Sequence, residues 1–261
     1  MDEMDETARP LDVAALEAAF TPLSLGRPLM YHPAIASTNT EAMALARQGA
    51  AEGTLVTTDD QTAGRGRLGR VWQSLPNEQL ALSVILHPPF PPHFLVMASA
   101  LAVTEAIEAT TGLRPDIKWP NDVLIAGRKV CGILIETSEQ NAVLGIGLNV
   151  NGSLTGDPEL AARAATLADA LGHPIAREPL FIELVRRLDG LYAALKMGGE
   201  QARRQLREAW RARLATLGKR LTIQQVGRAI TGVARDVDET GALIVETDDG
   251  GRETINWGDV E

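Results

Sequence analysis

The sequence predicts an α/β (α+β) fold, in which a mixed β-sheet with flanking helices is followed by a small β-domain. Up to residue 217, short strand-like segments alternate with longer helical ones. After Gly218 the helical periodicity gives way to short strands separated by the turns DETG and DDGG. A chain of 261 residues that is 45% hydrophobic can bury one large core and a small companion. We therefore expect an extension over residues 1–28, a main domain over 29–217 and a second domain over 218–261.

The elements of the first part follow from periodicity, caps and chain breakers. Thr38 and Glu41 form an S/T-x-x-E capping box that predicts a helix ending at Gly49. Further predicted helices are DVAALEAAF (12–20), 93–111, 159–171, 178–196 and 200–215. LALSVIL (80–86) alternates apolar residues as a half-buried strand does. Other predicted strands are LVTT (55–58), DIKW (116–119), DVLI (122–125), KVCGILIET (129–137) and AVLGIGLNV (142–150).

After Gly218, the segments RLTIQQV, AITGVARDV, ALIVET and RETIN indicate a small β-barrel or sandwich.

The net charge of −9 argues against general binding to nucleic acid or to anionic membranes. The most apolar run, FLVMASALAV, has about half the ~20 residues that a bilayer requires, and the N-terminus lacks a signal-peptide pattern. We expect a cytoplasmic protein. The single Cys131 is expected to pack inertly, and the four histidines have no metal-ligand spacing.

Residues 61–72, QTAGRGRLGRVW, concentrate positive charge on a glycine-rich backbone. Glycines let backbone N–H groups approach an anion closely, and arginines supply donors that match phosphate or carboxylate. The loop lacks the Gly-Lys-Ser/Thr of a P-loop, and its G-x-G-x-x-G is followed by no predicted helix. It therefore favours a ligand that carries phosphate. The alternative from composition alone is a disordered, solvent-facing segment.

A second motif, KWPND, stands at the end of a predicted strand. Lys118 precedes Trp119 and Pro120 at the start of a turn, where the backbone is stiff. Its ammonium group is therefore held in a position suited to binding a carboxylate or a phosphate. A surface lysine before a proline turn is the alternative.

Five motifs in this order and spacing resemble those of biotin protein ligases. They are STN (37–39), QTAGRGRLGRVW (61–72), KWPNDV (118–123), KVCGILIE (129–136) and GIGLNVN (145–151). The resemblance covers about residues 29–151 and continues weakly in GALIVETDDG. It implies a catalytic domain like that of class II aminoacyl-tRNA synthetases, followed by an SH3-like barrel.

The resemblance implies that biotin's carboxylate attacks the α-phosphate of ATP and that biotinyl-5′-AMP is held until a lysine of a carrier domain attacks it. Lys118 and Arg67 are the implied catalytic residues. Implied biotin contacts are Ser37, Thr38, Asn39, Gln61, Gly64, Arg65, Gly66, Arg67, Lys118, Gly132, Gly145 and Gly147. Implied contacts to ATP or the adenylate are Arg65, Arg67, Arg70, Trp72, Lys118, Asn121 and Asn149. Mg²⁺ is expected mainly on ATP oxygens, with Asn149 as a helper.

The chain also departs from the family pattern. Leu68 stands where a fourth arginine is common, and the sequence stops at WGDVE where relatives often continue to an arginine that reaches ATP. Only about 28 residues precede LMYHPAIASTN, where repressor members carry a helix-turn-helix domain. We therefore expect no operator binding.

Two other functions compete with this interpretation. A lipoate or octanoate ligase shares the fold, but the hydroxyl and amide groups of Ser37, Thr38, Asn39 and Gln61 favour biotin's ureido ring. A nucleic-acid-binding module would use the arginine loop and the helix RRQLREAWRAR (203–213), against the net charge. The expected partner is a biotin carboxyl carrier protein domain, without DNA or membrane, and the chain is expected to be a monomer or a homodimer.

Overall fold

The computed structural model describes residues 8–138, 141–154 and 158–260. Within them the helices are α1 (Val13–Phe20), α2 (Thr38–Arg47), α3 (His93–Thr111), α4 (Pro158–Arg163), α5 (Leu167–Leu171), α6 (Arg177–Met197) and α7 (Gly199–Ala212). The first seven strands are β1 (Leu29–His32), β2 (Leu55–Thr58), β3 (Gln79–Leu86), β4 (Asp116–Lys118), β5 (Asp122–Ile125), β6 (Arg128–Ser138) and β7 (Asn141–Asn149). The remaining strands are β8 (Arg220–Gln225), β9 (Arg228–Val237), β10 (Leu243–Thr247), β11 (Arg252–Ile255) and β12 (Asp259–Val260).

The first seven strands form one sheet in the order β1-β2-β3-β7-β6-β5-β4. β1 and β2 pair in parallel and the other neighbours pair antiparallel, which confirms the predicted mixed sheet with flanking helices. α2 packs on one face of this sheet, through a small cluster that includes Ala42, Val56 and Ile85. α3 and α6 pack on each other and on the opposite face, where they enclose the main core.

β3 lies at the centre of this arrangement, and all eight of its residues are buried. The alternation of LALSVIL predicts a strand with one solvated face, and that prediction is wrong. Leu80, Leu82 and Val84 face the main core. The opposite face is covered as well, because α2 packs against it. Ser83, which interrupts the apolar pattern, is therefore a buried polar residue.

Two helix boundaries differ from the sequence prediction. The N-cap of α2 is Ser37, whose hydroxyl accepts a hydrogen bond from the Thr40 N–H at 3.5 Å, so the predicted Thr38–Glu41 capping box is one residue out of register. The predicted helix 159–171 is broken into α4 and α5. At the break the Ala165 N–H donates to the Lys129 carbonyl at 2.9 Å, because this stretch bonds to the edge of β6.

α3 is long and apolar enough to cross a membrane by length and composition alone, and it extends well beyond the ten-residue run noted in the sequence. In this structure, however, 67% of its apolar window is buried inside the protein. α3 is thus the central helix of the core.

The last five strands form a second, antiparallel sheet in the order β11-β10-β9-β8-β12. This C-terminal sheet and its loops contact the first part of the chain through several side chains, among them Arg211 of α7, which pairs with Asp236 of β9 at 2.5 Å. The Trp119 indole N–H donates to the Gly241 carbonyl at 2.9 Å. Arg70, in the glycine-arginine loop, forms an ion pair with Asp259 of β12 at 2.5 Å.

Candidate active site

The site is built on a flat patch of the large sheet, on the face that α2 covers farther along. Successive cross-strand pairs on this face are Ser83–Gly145, Ala81–Gly147 and Gln79–Asn149, and Gly147 is also paired with Gly132 of β6. Because residues paired across strands share a face, the small side chains lie together. A cavity of about 140 Å³ opens above this patch, between it and the glycine-arginine loop.

Neighbouring side chains occupy the space above the glycines of this patch. A Cβ on Gly145 would lie 2.1 Å from Asn39 Oδ1. A Cβ on Gly147 would lie 2.7 Å from the Trp72 ring. The resemblance implies that Gly145 and Gly147 contact biotin. In this structure they make room for Asn39 and Trp72, whose side chains the ligand would then meet.

A buried polar network lies at the α2 end of the cavity. Ser83 Oγ is 2.6 Å from Asn39 Oδ1 and 2.8 Å from Thr38 Oγ1. Gln61 Oε1 accepts from the Thr38 N–H at 3.0 Å, and the Asn39 amide donates to Glu136 at 3.0 Å. The structure thus brings together the predicted residues Thr38, Asn39 and Gln61, with the cap residue Ser37 beside them, all lining the cavity.

The glycine-arginine loop is an ordered hairpin. The Trp72 N–H donates to the Gly64 carbonyl and the Gly66 N–H donates to the Arg70 carbonyl, with a single 3₁₀ turn at the tip. A Cβ on Gly64 would lie 2.5 Å from the Trp72 carbonyl oxygen, so glycine is needed where the two limbs cross. Gly64 therefore shapes the hairpin and does not line the cavity.

The cations around the cavity differ in their partners. Arg65 pairs with Glu136 at 2.9 Å, Arg70 pairs with Asp259, and Lys129 pairs with Asp122 at 2.7 Å. Arg67 instead donates to the neutral amide oxygen of Asn121 at 2.6 Å. Across residues 8–138, 141–154 and 158–260, Arg67 makes no ion pair. Burial lowers the pKa of its guanidinium, which nevertheless stays charged at neutral pH.

The structure does not bring Lys118 to the cavity. Lys118 is paired with Asp122, which is paired with Gly132, so Lys118 faces the same side as the glycines. It lies on the edge strand β4, directly beside Asp122, which lines the cavity. Lys118 itself does not line the cavity, and its predicted contacts with biotin and ATP stay predictions.

Lys129, the first residue of the motif KVCGILIE, lines the cavity, although the sequence predicted no role for it. Its ammonium lies 2.7 Å from Asp122 and 5.6 Å from the centre of the Trp72 ring. Strict alternation along β6 would place Lys129 on the same face as Cys131 and the core. A β-bulge shifts the register, so that Cys131 pairs with Val123 but Lys129 pairs with Leu124. The bulge turns Lys129 toward the cavity, as bulges beside functional sites commonly do.

Asn149 is also placed differently from the expectation. It is buried and does not line the cavity. Its Oδ1 accepts from Gln79 at 3.2 Å and its amide donates to the Ala165 carbonyl at 3.1 Å. The residues of the described ranges include no cluster of three or more His, Cys, Asp or Glu side chains suited to a metal. These side chains do not fit a dedicated magnesium site.

Four other polar residues of the site were given no role from the sequence, although Asp122 and Glu136 stand in the motifs KWPNDV and KVCGILIE. Ser83, Asp122, Glu136 and Asp259 each bond a predicted site residue or a cavity cation. The alternating pattern around Ser83 was a usable signal, because a serine on an otherwise apolar strand marks a polar contact. Cys131 is fully buried and burial raises the pKa of its thiol, which confirms its predicted role in packing.

Comparison with known families agrees with this fold. The family model of the biotin/lipoate A/B protein ligases matches residues 31–153, and that of the biotin protein ligase C-terminal domain matches residues 216–261. The chain belongs to the biotin/lipoate A/B protein ligase family. Within this family it is an enzyme of the biotin protein ligase group, which confirms the resemblance seen in the motifs.

Individual relatives cover most of the chain. The chain is 35% identical over 236 residues to the bifunctional ligase/repressor BirA of Bacillus subtilis, covering 87% of this chain and 71% of that one. It is 34% identical over 271 residues to the biotin–[acetyl-CoA-carboxylase] ligase of Mycobacterium tuberculosis, covering 100% of this chain and 98% of that one. The solved biotin protein ligase from Aquifex aeolicus in complex with biotin and ATP superposes with a TM-score of 0.79 at 28% identity, covering 90% of this chain and 98% of that one.

Proposed function

We propose that the protein activates biotin with ATP to form biotinyl-5′-AMP and transfers biotin to a lysine of a biotin carboxyl carrier protein domain. The observation that carries this proposal is Arg67. A half-buried guanidinium with only an amide partner, facing a cavity that also holds Lys129, favours an anionic group between the two. The carboxylate of biotin and the α-phosphate of ATP are such groups.

The polar network at the α2 end supports a neutral ligand head that both donates and accepts hydrogen bonds. Ser37, Thr38, Asn39 and Gln61 line the cavity, and they offer hydroxyl and amide groups without a net charge. A ureido ring presents one acceptor and two donors to such a surface. Lipoate has no such ring, so this network is the feature that favours biotin over the lipoate or octanoate alternative.

The cations support the two chemical steps. Negative charge accumulates on the α-phosphate during attack, and Lys129 with Arg67 and Arg65 would stabilise it. Lys129 and Arg65 must first exchange their present carboxylate partners for the ligand. Trp72 offers an aromatic face on which adenine would stack. Closure of the loop would then keep water from the mixed anhydride until the acceptor lysine arrives.

The remaining expectations stay predictions. Lys118, beside the cavity-lining Asp122, is proposed to contact the reacting carboxylate and phosphate once they are bound, and Mg²⁺ would enter with the ATP phosphates. We also propose the division into residues 29–217 and 218–261, and a cytoplasmic location.

The test is mass spectrometry of the purified protein after incubation with biotin, ATP and Mg²⁺. We expect bound biotinyl-5′-AMP, together with biotin-dependent exchange of label between pyrophosphate and ATP. Lipoate in place of biotin is the matched control. Exchange that is driven by lipoate and not by biotin would overturn the substrate assignment.

A further inference from the structure

Three side chains form a hydrogen-bonded row beside the cavity, and the proposed reaction uses only the first of them, Trp72. The Trp72 indole N–H donates to Gln79 Oε1 at 3.3 Å. The Gln79 amide donates to Asn149 Oδ1 at 3.2 Å, and the Asn149 amide donates to the Ala165 carbonyl at 3.1 Å. Gln79 and Asn149 are buried and directly paired on β3 and β7.

The direction of every bond in this row is fixed by its two ends. An indole N–H can only donate, so the oxygen of the Gln79 amide must face Trp72. The nitrogen of Gln79 then faces Asn149, whose oxygen must accept from it. The nitrogen of Asn149 is left for Ala165, whose carbonyl can only accept. The row therefore has one consistent orientation, and a buried amide that is matched at both ends is a rigid anchor.

The anchored group is the side chain on which adenine is proposed to stack. One face of the Trp72 ring lies against Gly147 and Gly132. A Cβ added to these two glycines would lie 2.7 and 3.1 Å from the ring. These glycines let the Trp72 ring approach the sheet, but they do not determine how the ring is rotated on it. The bond to Gln79 fixes which edge of the indole points along β3.

We infer that Gln79 is a positioning residue for ATP, acting by holding Trp72 flat and in one rotation on the glycine patch. This rests on the proposed function, since it assigns the adenine contact to Trp72. Gln79 does not line the cavity, and so its effect must pass through the tryptophan.

The experiment compares steady-state pyrophosphate–ATP exchange in wild type and Gln79→Met, which removes both bonds at similar volume. We expect KM for ATP to rise about fivefold, the scale of one lost hydrogen bond, while KM for biotin changes less than about twofold. In Trp72→Phe, which has no indole N–H, adding Gln79→Met should leave KM for ATP unchanged, because the two residues act as one unit. Tryptophan emission, taken as the difference from Trp72→Phe, should shift when Gln79 is replaced.

Two variants separate positioning from general stability. Thr57→Val is nearly isosteric and removes another buried bond of the same sheet, from the Thr57 hydroxyl to the Ala81 carbonyl at 2.9 Å, on the opposite face. It should lower the melting temperature without changing the ratio of the two KM values. Gln79→Glu keeps the acceptor for Trp72 but buries a charge, so stability should fall while KM for ATP stays within about threefold of wild type.

Several outcomes would overturn the inference. These are equal rises of both KM values in Gln79→Met, an undiminished effect of that change in the Trp72→Phe background, or a KM for ATP in Gln79→Glu that rises beyond threefold. A wild-type protein without biotin-dependent exchange would instead overturn the proposed function, and the emission shift would still report whether Gln79 holds Trp72.

Discussion

The two ends of the cavity are polar in different ways. At the α2 end, Ser83, Asn39 and Thr38 are buried neutral groups bonded to one another. At the loop end, Arg65 and Arg70 are largely exposed cations held by carboxylates. Buried neutral networks are preorganised and insensitive to salt, whereas exposed ion pairs are weak and readily exchanged. The difference indicates an end that recognises a ligand by shape and hydrogen bonds, and an end that must open, bind an anion and close.

The largest effect is expected at Lys129, the cavity-lining cation beside the Trp72 ring. Lys129→Ala should lower the rate of adenylate formation about 100-fold, the scale for removing one group that stabilises developing charge. Lys118→Ala is the matched comparison, because it removes a lysine from the same sheet face outside the cavity; its rate should fall less than about tenfold. Single-turnover formation of biotinyl-5′-AMP measures both. A greater loss in Lys118→Ala would make Lys118, and not Lys129, the main cation on the reacting groups.

At the buried end, Ser83→Ala should raise KM for biotin about tenfold, because Asn39 Oδ1 loses a donor and a buried acceptor without a partner is costly. Ser99→Ala provides the control, since Ser99 is an equally buried serine whose hydroxyl donates to the Leu95 carbonyl inside α3. It should affect thermal stability and leave KM for biotin unchanged. Equal effects of the two changes on KM would show that the network is only structural.

At the loop end, Arg67→Ala should yield an enzyme that releases its adenylate, because the anion loses the one cavity-lining cation that makes no ion pair within the described residues. Leu68→Ala removes no charge from the same turn and serves as the control. Labelling of lysines on a bystander protein, per adenylate formed, measures release. We also expect release to increase with salt in the wild type while KM for biotin stays constant. If adenylate release and KM for biotin changed with salt to the same degree, the proposed difference between the two ends of the cavity would be wrong.

The smallest effect is expected at the rim. Asp259→Asn should change adenylate release by about threefold or less, since an exposed ion pair contributes little. Glu246→Gln, which breaks the pair with Arg235 elsewhere in the C-terminal sheet, should leave release unchanged. A tenfold change in Asp259→Asn would mean that closure depends on this one contact.

More of the fold than of the site could be predicted from the sequence. Periodicity, glycines and turn residues predicted the mixed sheet, the long core helix and the change of architecture after Gly218, because these depend on local patterns. The prediction of a half-buried β3 was wrong because the packing of α2 on its second face is a tertiary contact, which the local pattern does not show. Lys129 belongs to the motif KVCGILIE but was given no role, because the bulge in β6 reverses the side-chain alternation that would place it in the core. Asn39 and Gln61 were found because they belong to motifs that resemble the family. Ser83 lies outside these motifs, and Glu136, although within one, is brought to Asn39 only by the tertiary fold.

The ion pair between Arg70 and Asp259 also bears on how the chain folds. The two residues are 189 positions apart in sequence. Contacts of such separation carry a large loop-closure entropy and form after the local structure that supports them. The glycine patch, the α2 network and the hairpin all lie within residues 37–149, so they can assemble before the C-terminal sheet docks. The position of the hairpin, unlike that of the cavity floor, therefore depends on the docked C-terminal sheet.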